Sequence, residues 1–141
     1  MARVLIVEDH APDVYLVKEA LRASGISFEL TQINDGNAAR IYLIDATAGG
    51  VPDLIFLDIN LPKADGLEIL RMIRSWPHLA HVPVAILTSS SSPEDKDKAY
   101  RLGANLYITK PVGLSEFLSA VGSAAKQLLT EHAAGEAATP S

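Results

Sequence analysis

The sequence predicts an α/β fold in which a five-stranded parallel sheet is covered by helices on both faces. Five short apolar runs alternate with segments of helical periodicity, which is the (βα)₅ order expected of such a sheet. The runs are almost continuously apolar, as is typical of strands buried on both faces. The 141 residues are about enough for one domain. The predicted strands comprise residues 4–7, 28–33, 54–57, 84–87 and 106–109.

The first two helices follow from stop signals and periodicity. The helix over residues 11–24 accommodates Pro12 in its first turn, carries its apolar residues on one face and ends at Gly25. After the second strand, a turn at residues 34–36 leads into a shorter helix over residues 37–44.

The next two units are defined by the residues that end their strands. The third strand is the most hydrophobic and ends at Asp58, and the fourth ends at Thr88. A helix over residues 67–75 lies between them. The fourth helix, residues 93–102, has Ser92 as its N-cap, a proline in its first turn and a glycine after its last residue.

The C-terminal part of the chain divides into a helix and a tail. Apolar residues on one stripe predict a last helix over residues 114–129. The small and polar residues 130–141 predict a disordered tail. We therefore expect one domain over residues 1–129 and no output domain; a transcription factor fragment is disfavoured because the tail is too short for a helix-turn-helix unit.

The composition excludes several classes of function. With 12 basic and 17 acidic residues the net charge is −5, which disfavours nucleic acid as a partner. The absence of cysteine excludes disulfide and thiolate chemistry. The sequence shows neither a signal peptide nor an apolar run near the ~18 residues of a membrane span. We expect a cytoplasmic protein with no membrane partner.

Chemistry-bearing residues follow four of the five predicted strands. Ligands of open α/β sheets bind at the carboxyl ends of the strands. Glu8 and Asp9 follow the first strand, Asp58 the third, Thr88 the fourth and Lys110 the fifth. Individually each has an ordinary structural explanation as a turn, capping, packing or surface residue. Their joint occurrence at matching strand ends favours a functional site.

These residue types are suited to phosphoryl transfer. Three crowded carboxylates without histidine or cysteine favour Mg²⁺, which binds oxygen ligands. Lys110 offers a compact charge for a phosphate, and Thr88 can donate a hydrogen bond to it. Asp58 is the expected nucleophile, forming an aspartyl phosphate.

The ordered set of motifs resembles the response-regulator receiver domain, the CheY-like family. The resemblance extends from Val4 to about Leu129 and implies the doubly wound, flavodoxin-like strand order 2-1-3-4-5. The matching pieces are residues 5–9, 53–58, 61–62, 65–66, 84–88 and 110–111.

The resemblance implies a role for each site residue. Asp58 would accept the phosphoryl group, and Lys110 would pair first with Asp58 and then with that group. For Mg²⁺, Asp9 would bind directly, Glu8 mostly through water and Asn60 through its backbone carbonyl.

Three further positions carry implied roles. Thr88 and Tyr107 match the switch pair in which a hydroxyl moves to the phosphoryl group and a ring turns inward. The alternative for Tyr107 is plain packing beside a strand. The Lys110–Pro111 bond is expected to be cis. Ser89 departs from the small residue frequent at its position, which leaves the lifetime of the phosphorylated state open.

The resemblance also implies partners. The donor would be a phosphohistidine on a histidine kinase, and residues 61–63, 79–83 and 103–107 are similar to single-domain receivers paired with phytochrome-type kinases. A homodimer through the fourth helix, fifth strand and last helix is expected. Such a receiver would not be an enzyme, apart from phosphoryl transfer to itself and its own dephosphorylation. The alternatives are a phosphorylation-independent interaction module and an aspartyl-phosphate phosphatase resembling haloacid dehalogenases.

Overall fold

A computed structural model describes residues 1–46, 50–62 and 64–138. The chain alternates strands and helices as predicted. The strands of the main sheet are β1 (Ala2–Val7), β2 (Phe28–Ile33), β3 (Leu54–Leu57), β4 (Val84–Thr88) and β5 (Leu106–Thr109). The helices are α1 (Ala11–Ala23), α2 (Gly36–Ile44), α3 (Gly66–Ser75), α4 (Pro93–Arg101) and α5 (Leu114–Ala138).

The five strands form one parallel sheet in the order β2-β1-β3-β4-β5. This is the predicted CheY-like architecture, and the fold prediction is confirmed. In β1, Val4 and Ile6 face one side of the sheet and Leu5 and Val7 face the other, each pair in its own core. Alternate residues of a strand point to opposite faces, so a continuous apolar run serves two layers of helices.

The two cores assign the helices to faces. One core unites the first side of the sheet with α1 and α5, through residues such as Val17 and Val121. The other unites the opposite side with α2, α3 and α4, through residues such as Leu43 and Leu70. The charged residues that follow the strands, such as Glu8 and Asp58, belong to neither core and lie at the carboxyl edge of the sheet.

A short antiparallel pair lies outside the main sheet. Asn60–Leu61 pairs with Ala64–Asp65 directly after β3, and Asp65 then caps α3 by accepting a hydrogen bond from the N–H of Leu67 at 2.9 Å. The sequence pattern does not predict this pair. It fixes the loop beside Asp58.

The last helix is longer than predicted. It continues to Ala138, so the prediction that it ends at Leu129 and that a disordered tail follows is wrong for residues 130–138. Alanine has the highest helix propensity, and the tail is rich in it. A hydrogen bond of 3.3 Å from Gln127 to Glu131, four residues on, supports the extension. Residues 139–141 lie outside the described part of the chain.

The prediction of a cis Lys110–Pro111 bond is also wrong. Every peptide bond in the described residues is trans. For proline the two isomers differ by only about 0.5–1 kcal/mol, so the dipeptide alone does not determine which one the fold selects.

Candidate functional site

The carboxyl edge of the sheet collects the residues predicted at the strand ends. The backbone N–H of Asp58 donates to the carbonyl of Val7 at 3.1 Å, which extends the β1–β3 pairing and places Asp58 beside Glu8. The N–H of Lys110 donates to the carbonyl of Thr88 at 2.7 Å, which extends the pairing of β4 with β5 in the same way. The topology of the parallel sheet therefore builds the site.

Three carboxylates form a cluster with the geometry of a cation site. Glu8, Asp9 and Asp58 each offer one oxygen, and these oxygens all lie within 4.8 Å of one another. Ligands on opposite sides of Mg²⁺ lie about 4 Å apart, so a small movement of the exposed Asp9 closes the set. Oε1 of Glu8 is buried without a hydrogen-bond partner of good geometry among the described residues. The residues present fit a divalent cation bound by oxygen.

Lys110 compensates the buried charge of Glu8. Its Nζ lies 2.6 Å from Oε1 of Glu8 and 3.6 Å from Oδ2 of Asp58. Burial raises the pKa of Glu8 above its ordinary value; the hydrogen bond with Lys110 opposes this rise and the charge of Asp58 adds to it. Glu8 is 1% exposed, so its charge depends on a nearby cation.

The ammonium of Lys110 remains charged in this position. Burial by itself lowers the pKa of Lys110, but hydrogen bonds with Asp13 and Glu8, together with the charges of Glu8 and Asp58, raise it more. Lys110 can therefore present a full positive charge at the edge of the sheet.

The side chain of Asp58 is held in place by the loop that follows it. Asp58 is 6% exposed, and its Oδ1 accepts a hydrogen bond from the backbone N–H of Asn60 at 3.0 Å. The amide of Asn60 lies 3.5 Å from the hydroxyl of Thr88. Asp58, Asn60 and Thr88 thus belong to one group. The predicted role of the Asn60 carbonyl toward a metal stays a prediction.

The predicted switch pair is joined through Ser90. The N–H of Ser90 donates to Oγ1 of Thr88 at 3.3 Å, and its carbonyl accepts a hydrogen bond from the hydroxyl of Tyr107 at 2.9 Å. The hydroxyl of Ser90 donates to Oδ2 of Asp95 at 2.6 Å. Tyr107 is half-buried, with its hydroxyl bound to the loop between β4 and α4.

Ser90, Asp95 and Asp13 also contact the site, although no sequence motif indicated them. Oδ2 of Asp13 lies 2.7 Å from Nζ of Lys110 and 3.0 Å from Nδ1 of His10. Asp13 lies in the first turn of α1, and no local pattern in the sequence links it to Lys110. The His10 ring is 61% exposed and lies at the surface.

Comparison with known proteins assigns most of the chain to one family. The family model of the response regulator receiver domain matches residues 4–122. The response regulator Rcp1 of Synechocystis sp. is 40% identical over 121 residues, which are 84% of this chain and 82% of that protein.

Two solved structures of response regulators superpose on this chain and support the same family. The crystal structure of the Mn²⁺-bound form of Rcp1 superposes with a TM-score of 0.79 at 38% identity, covering 87% of this chain and 91% of the other. The phosphorylated cyanobacterial phytochrome response regulator RcpA superposes with a TM-score of 0.82 at 37% identity, covering 92% and 95%. In the described residues, no helix is both long enough and apolar enough to cross a membrane.

Proposed function

The chain belongs to the response regulator receiver domain family, and from this premise we propose that it is a phosphorylation switch of a two-component system. Asp58 accepts a phosphoryl group from a phosphohistidine of a histidine kinase. The phosphorylated protein then signals by binding other proteins through a changed surface.

The position of Asp58 carries this proposal. Its carboxylate lies at the end of the buried strand β3, within 4.8 Å of acidic oxygens on one side and 3.6 Å from the ammonium of Lys110 on the other. A phosphoryl group on Asp58 would meet positive charge from both a bound cation and Lys110. Phosphoryl transfer depends mainly on such positioning and charge.

The transfer step uses an oxygen of Asp58 as the nucleophile. This oxygen attacks phosphorus, and a P–O bond forms while the P–N bond of the donor breaks. The electron pair of the P–N bond stays on the imidazole nitrogen. With one proton taken up by the ring, the leaving group is neutral imidazole. The N–H of Asn60 orients the carboxylate by holding Oδ1. In the later hydrolysis, a water oxygen attacks phosphorus and the carboxylate leaves, which releases inorganic phosphate.

The cation we propose is Mg²⁺. Glu8, Asp9 and Asp58 would hold it, with the Asn60 carbonyl as a further ligand. When bound, Mg²⁺ supplies positive charge to the oxygens of the transferring phosphoryl group. The Mn²⁺-bound form of the similar Rcp1 supports a divalent cation.

Thr88 and Tyr107 are proposed to report the phosphoryl group to the surface. Thr88 is fully buried at the end of β4 and can donate its hydroxyl toward Asp58. A movement of the Thr88 hydroxyl toward Asp58 would disturb the hydrogen bond that it accepts from the N–H of Ser90. The carbonyl of Ser90 accepts the hydroxyl of Tyr107, so Tyr107 would be affected in turn. The face of α4, β5 and α5 would respond, and we propose that a homodimer forms there.

The proposed kinase is of the phytochrome type. The support is the likeness to RcpA, a phytochrome response regulator with 37% identity. Nucleic acid is not among the proposed partners, because the net charge of −5 repels a phosphate backbone.

The first test is phosphorylation by a small-molecule phosphodonor, with and without Mg²⁺, read by intact mass. Wild type should gain one phosphoryl group only with Mg²⁺, and Asp58→Asn should gain none. Asp97→Asn is the matched control, because Asp97 is 60% exposed and pairs with Arg101 on α4, and it should behave as wild type.

No gain of mass in folded wild-type protein would refute the switch and favour the phosphorylation-independent module. The phosphatase alternative predicts many turnovers of a generic phosphomonoester per protein molecule. The switch predicts no more than the slow loss of its own phosphoryl group.

A further inference from the structure

The ammonium of Lys110 is held by two carboxylates, one of which belongs to a residue outside the proposed transfer machinery. Its Nζ lies 2.6 Å from Oε1 of Glu8 and 2.7 Å from Oδ2 of Asp13. The distance to Oδ2 of Asp58 is 3.6 Å, beyond the range of an ordinary hydrogen bond. In this state Asp13 therefore binds Lys110 more closely than the proposed phosphoacceptor does.

The place of Asp13 in α1 gives it an ordinary structural role as well. It lies in the first turn of the helix, where a negative charge is favourable to the helix dipole. That role needs no partner from β5. The carboxylate is nevertheless only 15% exposed, and its Oδ2 lies between Nζ of Lys110 and Nδ1 of His10. The contact joins the start of α1 to the end of β5.

The ammonium of Lys110 forms ion pairs with both Glu8 and Asp13. A phosphoryl group on Asp58 would require Lys110 to turn toward it. The attraction of Asp13 opposes that movement, because Asp13 and the phosphoryl group compete for the same ammonium. The side chain of Lys110 is only 14% exposed, so water screens this competition little.

We propose that Asp13 is a positioning residue that holds Lys110 away from Asp58 in the unphosphorylated protein. The proposal rests on the proposed function of Asp58 as phosphoacceptor. Asp13 thereby lowers the stability of the phosphorylated arrangement relative to the resting one, and its side chain sets the balance between the two. The His10 contact keeps the Asp13 carboxylate turned toward the site.

Asp13→Asn tests this with little change in shape. The substitution removes the charge that competes for Lys110, so the phosphorylated arrangement should become easier to reach. With Mg²⁺ present, beryllium fluoride, a mimic of the phosphoryl group, should bind about threefold to tenfold more tightly than to wild type. Removing a helix-dipole residue would lower thermal stability without tightening this binding.

Glu19→Gln is the matched control. It removes the same charge from the same helix, but Glu19 pairs with Arg22 at 2.6 Å on the outer surface of α1. Its affinity for beryllium fluoride should equal that of wild type. Asp13→Ser provides a second uncharged variant, should the asparagine variant fold poorly.

A second measurement reads Lys110 directly in protein without metal or phosphoryl mimic. The NMR signal of its Nζ should shift in Asp13→Asn and remain unchanged in Glu19→Gln. An unchanged Nζ signal, or beryllium fluoride affinity equal to or below that of wild type in a folded variant, would overturn the proposal.

The two proposals fail in different ways. If wild type neither binds beryllium fluoride nor takes up a phosphoryl group, the proposed function is wrong, and the Nζ signal still decides whether Asp13 holds the ammonium. If phosphorylation at Asp58 is normal and Asp13→Asn behaves as Glu19→Gln does, only the role of Asp13 is wrong.

Discussion

At the scale of the residue, the side chain of Arg74 links two loops through hydrogen bonds. Its guanidinium donates to the carbonyls of Gly103 at 3.0 Å and Val82 at 2.7 Å, and to Oδ1 of Asn105 at 2.9 Å. That Asn105 oxygen also accepts the N–H of Val84. Burial lowers the pKa of Arg74, which stays charged because its ordinary pKa is so high. Arg74 thereby joins the connection that precedes β4 to the connection that precedes β5.

We expect Arg74→Lys to lower the free energy of unfolding by about 2–3 kcal/mol, because one ammonium cannot reach three acceptors in different directions and leaves carbonyls unpaired. Urea unfolding measures this. Arg71→Lys on the exposed face of α3 is the control and should stay within about 0.5 kcal/mol of wild type. Equal stability of the two variants would show that the hydrogen bonds of Arg74 contribute little.

Residue types at strand ends could be predicted from the sequence, whereas the partners of long side chains could not. Glu8, Asp58 and Lys110 follow strands, and the parallel order of the strands alone brings them to one edge. The contact of Asp13 with Lys110 depends on where the fold places the start of α1 relative to the end of β5, which no local pattern encodes. Arg74 lies in the last turn of α3, where an arginine is common, so the sequence did not predict its buried hydrogen bonds either.

At the scale of elements, the start of α3 is fixed by a close approach to the loop that follows Asp58. A Cβ added to Gly66 would overlap the carbonyl oxygen of Asp58 and lie 2.5 Å from Cα of Ile59. The N–H of Gly66 also donates to the carbonyl of Ile59 at 3.1 Å. The absence of a side chain therefore allows α3 to begin directly against the site.

Gly66→Ala should displace the loop and slow phosphorylation of Asp58 by about tenfold or more, because small displacements of reacting groups are costly. Intact mass over time after addition of the phosphodonor gives the rate. Gly25→Ala is the contrasting variant: it has open space around it but a φ of +72°, so it should cost stability and leave the rate unchanged. Normal rates in Gly66→Ala would mean that the loop relaxes freely.

The C-terminal extension of α5 illustrates where local signals mislead. Small, polar composition predicted disorder after Leu129, but alanine and glutamate are also strong helix formers, and a helix already nucleated by a packed stripe extends at low cost. Leu128 is the last buried core residue. His132 lies 3.6 Å from Asp53, at the end of the sheet opposite the site.

Deletion of residues 130–141 should remove the helical signal of the nine residues 130–138 in far-UV circular dichroism and lower the unfolding free energy by less than about 1 kcal/mol. Phosphorylation of Asp58 should continue at the wild-type rate. If the deletion removes no helical signal, residues 130–138 are disordered, as the composition predicted.

At the scale of the whole molecule, the same parallel topology supplies both the stable core and the destabilising charge of the site. Two apolar layers hold the sheet, while four carboxylates and one ammonium meet at its carboxyl edge. Without a cation, this edge carries an excess of negative charge, and the raised pKa of Glu8 reflects burial first and the charge of Asp58 in addition. The site therefore costs folding free energy that a bound cation restores.

Asp58→Asn should for this reason be more stable than wild type in the presence of a chelator, by about 1 kcal/mol, because one of the repelling charges is gone while the shape is kept. Mg²⁺ should reverse the order. A ligand at one hundred times its dissociation constant stabilises the folded state by about 2.7 kcal/mol, and the variant has lost a ligand carboxylate. Thermal unfolding of both proteins across a Mg²⁺ titration measures the Mg²⁺ concentration at which their stabilities are equal.

Asp97→Asn is the control and should follow wild type throughout, since the charge of Asp97 lies on the solvent face of α4. If Asp58→Asn is less stable than wild type under chelation, its attraction to Lys110 at 3.6 Å outweighs the repulsion from Glu8 and Asp9, and the edge is not a source of instability.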